Sequence, residues 1–131
     1  MDTVEVREKA AVQSEAAQVS QWLTKFDTAL QSANRASLAA LFAADSHWRD
    51  LLAFTWSITP SEGGDAIAAL LAAKQPATQA RGFAIASGRT PPRKVARAGF
   101  DVIEAIFQFE TKVGRGFGVL RLLVSDPTKA F

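Results

Sequence analysis

The chain has 131 residues, of which 48% are apolar and 21% charged, with fifteen Lys and Arg against thirteen Asp and Glu for a net charge of +2. This is the size and composition of one ordinary globular domain, which leaves no room for a cofactor-binding domain beside a substrate domain. Cysteine is absent, which excludes disulfides, thiolate metal sites and cysteine nucleophiles, and no apolar run reaches the roughly eighteen residues of a membrane span.

The isoelectric point near 9.3 reflects a small excess of bases rather than a basic surface. The densest cluster, Arg89, Arg93, Lys94 and Arg97 around Pro91-Pro92, has no aromatic residue among its members. It reads as a solvated turn, and no nucleic-acid partner is expected. The first residues mix charges and lack the apolar core of a secretory signal, so a cytoplasmic protein with no membrane partner is the expectation.

Residues 1–14 are polar and weakly periodic, and read as a flexible N-terminal arm or an extra helical turn ahead of a domain over 15–131. Val19, Trp22, Leu23, Phe26 and Leu30 then fall at helical spacing on one apolar stripe. Asn34 is placed to cap a short second helix that carries Leu38, Leu41 and Phe42. After Asp45-Ser46 an alternating stretch through Asp50 predicts a strand. Gly63-Gly64-Asp65 opens a third helix, with Asp65 as a cap acceptor, Ile67, Leu70 and Leu71 on its buried face, and Pro76 ending it.

Beyond Pro76 the period becomes strand-like, with segments near 81–89, 93–98, 102–112 and 116–125. The last two are joined by the hairpin connection Lys112-Val113-Gly114-Arg115-Gly116. Alternation puts Ile103, Ala105, Phe107 and Phe109 on one face and Glu104, Ile106, Gln108 and Glu110 on the other. In the final strand Gly118, Leu120, Leu122 and Val124 oppose Phe117, Val119, Arg121 and Leu123. One face must pack on the helices. The other keeps apolar residues among its charges, which suggests a homodimer contact. The predicted fold class is α+β, with three helices packed on a curved antiparallel sheet.

This order of elements resembles the nuclear transport factor 2-like superfamily, a cone fold that includes SnoaL-like cyclases, ketosteroid isomerases and scytalone dehydratase. The resemblance is carried by Leu41-Phe42-Ala43-Ala44-Asp45-Ser46-His47-Trp48-Arg49-Asp50, similar to the family's lead into its first strand, and by Gly64-Asp65-Ala66-Ile67 at the third helix. A narrower likeness lies in Trp48–Trp56, Ile103–Thr111, Gly114-Arg115-Gly116 and Gly118–Leu122. These look like the domain that precedes the FAD-binding part of some flavin-containing monooxygenase-like proteins. The chain itself has no G-x-G-x-x-G fingerprint, so no cofactor is expected on it. The resemblance implies a non-catalytic accessory to such a flavoprotein, or a cyclase, isomerase or dehydratase. It also implies a further strand beyond Phe131, without which the last strand is cut short.

Asp50 is the first candidate for chemistry, because the ketosteroid isomerases carry a proton-shuttling Asp at the matching position. Partial desolvation in an apolar pocket can raise a carboxyl pKa towards that of a working base. The family's tyrosine oxyanion hole is missing, since the chain has no tyrosine. Asp50 can equally pair with an arginine, cap a turn or bind ligand. His47, the only histidine, is a second acid/base candidate, yet alternation turns it away from the face shared by Ser46, Trp48 and Asp50. One histidine and no cysteine give no metal site. Trp22, Phe26, Trp48, Phe54, Trp56, Phe107 and Phe109 are the expected ligand-binding walls, with Phe83 among the aromatic residues around them, and all are equally good core. Ser46, Ser57 and Ser87 have no sequence-evident base, so none reads as a nucleophile.

Overall fold

A long first helix sets the frame. In the computed structural model, which describes residues 3–51, 58–97 and 99–131 and the side chains of 15–48, 61–97 and 99–131, helix α1 spans Thr3–Ser32. Its backbone is thus helical well upstream of the expected boundary at residue 15. Val19, Trp22, Leu23, Phe26 and Leu30 are all buried on one side of it. The chain reverses at Ala33, which has a positive φ of 51°. Asn34 then caps α2 (Arg35–Ala39), its side chain accepting from the Ser37 N–H at 3.1 Å. Leu38, Leu41 and Phe42 are buried, the last two just beyond the helix end.

Strand β1 (His47–Leu51) pairs antiparallel with β2 (Ile58–Glu62). The pattern of residues 58–62 does not announce a strand, because Pro60 and the polar Ser61 and Glu62 are poor strand formers. Pairing with β1 supplies what local propensity lacks, and Pro is tolerated at a sheet edge.

Helix α3 (Gly64–Thr78) differs from expectation at both ends. Gly63 stands at the N-cap with no side-chain hydrogen bond there, and the exposed Asp65 lies in the first turn. Asp65 therefore offers its charge to the helix dipole and not a cap bond. Pro76 does not end the helix, which runs on to Thr78. Proline removes one N–H, but the last turn closes around it through the Gln79 N–H, which donates to the Gln75 carbonyl at 2.7 Å. The buried Gln75 side chain then grips the next residue twice. It accepts from the Ala80 N–H at 3.2 Å and donates to the Ala80 carbonyl at 2.8 Å. Ile67 and Leu71 are buried, while Leu70 is only half-buried.

The larger sheet is organised around β5 (Phe100–Glu110). On one edge β6 (Arg115–Leu123) pairs with it in unbroken antiparallel register from Glu110↔Arg115 to Val102↔Leu123. On the other edge two strands follow in series. β3 (Arg81–Ile85) lies along the C-terminal half of β5, and β4 (Arg93–Arg97) along the N-terminal half. The alternation read from sequence holds: Ile103, Ala105, Phe107, Phe109, Leu120 and Leu122 are buried, whereas Phe117 and Val119 are 55% and 58% exposed.

The C-terminal residues add an edge to this sheet. The Phe131 N–H donates to the Arg121 carbonyl (2.8 Å) and the Leu123 N–H to the Lys129 carbonyl (3.1 Å). Ala130 exchanges bonds with Leu41 and Ala43, both 2.8 Å. The end of the chain thus ties β6 to the segment leading into β1. Three helices and antiparallel sheets make the architecture α+β, and α1, α2, α3 and the inner sheet face share one core.

Candidate functional site

The start of β1 is where polar chemistry meets the core. The Ser46 N–H donates to the Ala43 carbonyl (3.1 Å), and the Ser46 carbonyl accepts from the Gly63 N–H (2.7 Å). Those bonds hold the backbone between the end of α2 and the start of α3. They leave the Ser46 side chain fully buried, and its hydroxyl has no hydrogen-bond partner among the described residues. Two residues on, Trp48 is half-buried and packs on the core, its ring 6.1 Å from that of Phe26.

The alternation expected for this stretch is visible in His47, which points out. Its side chain is 60% exposed, with Nδ1 3.8 Å from the Glu62 carboxylate on β2. The histidine and the buried Ser46 therefore sit on opposite sides of the strand, and the structure does not bring them together. Asp50 lies in β1 opposite Thr59. Its side chain, with Phe54 and Trp56, falls outside the described residues.

The remaining aromatic residues expected to wall a pocket form a mutually packed cluster. Trp22 stacks on Phe26 at 4.9 Å, and its indole N–H donates to the Leu41 carbonyl at 3.0 Å. Phe26 meets Phe83 edge to face at 4.9 Å, and Phe83 stacks on Phe109 at 4.9 Å with Phe107 5.9 Å away. Trp22, Phe26, Phe107 and Phe109 are each at most 8% exposed, so the four are core side chains. Trp48 alone of the described candidates is half-buried, and it lies two residues along the chain from the unpartnered Ser46 hydroxyl.

Two further residues shape this cluster: Phe83, whose aromatic side chain the sequence offers as wall or core, and Asp27, which carries no obvious sequence signal. Phe83 occupies its centre because β3 contains a bulge. The register with β5 shifts between Arg81 and Ala84, and Gly82 takes a φ of 70°, which turns Phe83 inward. Asp27 on α1 holds that bulge, its Oδ2 accepting from the Gly82 N–H at 2.9 Å and the Phe83 N–H at 3.1 Å. Only the stripe position of Asp27, beside buried Phe26, could have hinted at a role. Ser46 was visible to sequence as a member of the Trp48 face, but not as an unsatisfied group.

Glu104 is the other surprise. It sits on the face away from the helices, yet its side chain is only 14% exposed. Arg97 reaches it with two nitrogens (3.0 and 3.2 Å), Arg121 with one (2.9 Å), and Arg93 approaches to 3.8 Å. The hydrogen bond from Arg121, opposed by burial and aided by Arg97, holds its carboxyl below the usual glutamate range. Such fully engaged carboxylates stabilise structure and do not serve as acids at neutral pH. Among the described residues no three His, Asp or Glu side chains assemble as a metal would require, and no helix is long and apolar enough to cross a membrane. No protein-family model matches the chain, and no curated protein matches it significantly.

Proposed function

We propose that the chain is a small-molecule-binding domain of the nuclear transport factor 2-like, SnoaL-like kind, with its ligand seated against Ser46 and Trp48. The observation that carries this reading is the Ser46 hydroxyl, fully buried and without a partner among the described residues. A buried hydroxyl left unpaired costs about 1–3 kcal/mol, which a ligand carbonyl or hydroxyl at that point returns. The indole of Trp48, two residues along the chain, would offer the ligand a flat apolar wall. The ligand class that fits is an apolar, planar molecule with one hydrogen-bonding group.

The role is non-catalytic and accessory to a flavin monooxygenase-like protein. Support comes from the motifs of β1, β5 and β6, from the lack of tyrosine, and from the lone histidine lying exposed beside Glu62. The competing role is a cyclase, isomerase or dehydratase with Asp50 as general acid or base. Tryptophan-fluorescence titration with acetylnaphthalene, an apolar aromatic ketone, tests the reading. Saturable quenching that weakens severalfold in Ser46→Ala, and persists in Asp50→Asn, is the expected result. No saturable quenching would sink it. Turnover of an apolar carbonyl compound that disappears in Asp50→Asn, with quenching intact, would transfer the case to the enzyme.

A further inference from the structure

The charges of this protein are unevenly placed. With the net charge only +2, the strand register gathers arginines on the sheet face away from the helices. Arg93 and Arg121 lie directly opposite Glu104 from its two sides, and Arg97 joins them. Arg81 and Arg115 both lie opposite Glu110 at the other end of β5. Two carboxylates, Glu104 and Glu110, thus stand among five arginines on this face. Between the two clusters Phe117 and Val119 stay more than half exposed. Arg89, from the turn after β3, lays its guanidinium over the Phe117 ring at 4.9 Å.

We infer that this outer face is a docking surface for an acidic protein segment that carries apolar side chains. The apolar strip supplies the anchor, and the arginines around it supply the rim, which is the usual anatomy of a protein interface. The choice of partner follows from charge. Glu104 consumes Arg97 and Arg121 through short hydrogen bonds, while Arg115 makes no ion pair among the described residues and Arg89 only its ring contact. The uncommitted charge is therefore positive, and arginine suits paired recognition of carboxylates. A second copy of the chain, docked face to face by a two-fold axis, would set the same arginine excess against itself. A nucleic acid would meet Glu104 and Glu110 on the surface that has to accept phosphates.

The inference is independent of the ligand site and can be tested separately. A fluorescent peptide of about twelve residues, alternating Glu and Leu, is titrated against the full chain by anisotropy. A Lys–Leu peptide and an oligothymidylate of equal length serve as comparisons. Saturable binding of the Glu–Leu peptide alone is expected, weakened at least about tenfold in the Arg89→Glu/Arg115→Glu double variant and reduced by added salt. That variant leaves the Glu104 cluster whole, and its thermal unfolding is checked against the parent. Val119→Glu, which keeps every arginine, should weaken binding in the same way and covers a double variant that fails to fold. No binding, or binding unchanged in both variants, overturns the inference. So does equal binding of the oligothymidylate, or a concentration-dependent dimer in sedimentation that Val119→Glu abolishes.

Discussion

Gly118 and Gly116 show how a single missing methyl group decides a packing arrangement. In register they stand directly opposite Phe107 and Phe109, and each ring folds across its glycine. A Cβ on either would lie 2.3 Å from the ring's Cζ. The rings cannot retreat, because Phe107 and Phe109 are already packed on Phe83. Gly118→Ala should therefore cost about 1–3 kcal/mol of stability by overpacking. Gly114→Ala in the hairpin loop, where a Cβ meets nothing within 4 Å, should change little. Urea unfolding of the two variants makes the comparison.

Asp27 acts on the same cluster from the helix side. Removing its carboxylate in Asp27→Ala takes one exposed and one part-buried hydrogen bond from the β3 bulge, and about 1 kcal/mol should be lost. Equal stability of parent and variant would show that water replaces the carboxylate at no cost. Glu104 gives a pH signature. Its folded pKa is depressed, so its contribution is complete above the ordinary glutamate value and is lost as pH falls through the lower folded value. Thermal unfolding midpoints should decline on acidification below the ordinary carboxylate range. In Glu104→Gln the decline should be shallower, starting from a lower midpoint at neutral pH.

At the scale of elements, α3 and β2 show where local signals stop. Proline in a helix interior costs about 3 kcal/mol, chiefly by removing an N–H and crowding the preceding turn. The sequence rule therefore ends α3 at Pro76. The helix continues because its end is fixed by tertiary partners. Ala80 is held by Gln75, and its carbonyl also accepts from Gln31 on α1 at 2.8 Å. Thr78 accepts from the Lys112 N–H at 2.9 Å. Pro76→Ala should restore a helical hydrogen bond and raise stability by roughly 1 kcal/mol, after allowance for the greater freedom of the unfolded chain. A lower midpoint in the variant would mean that the ring packs favourably where it is. Strand β2 is the converse case. Its Pro60, Ser61 and Glu62 have weak strand propensity, and the pairing with β1 carries them into the strand.

At the scale of the whole molecule, the C-terminal residues join parts that are far apart in sequence. Ala130 bonds to Leu41 and Ala43, and Phe131 to Arg121. Deleting residues 129–131 removes these bonds and the buried Ala130 at once. A loss of at least about 2 kcal/mol in urea unfolding is expected. The sequence by itself determined whatever depends on neighbours along the chain. The apolar stripe of α1, the Asn34 cap, the alternation of β5 and β6 and their hairpin all follow from spacing, since side-chain direction in a helix or strand repeats with a fixed period. Only tertiary structure decided the rest. The packing of Trp22, Phe26, Phe107 and Phe109 on one another, the inward turn of Phe83, the orphaned Ser46 hydroxyl and the arginines around Glu104 depend on contacts between distant segments. Periodicity tells which way a side chain points, and it carries no information about what meets it there.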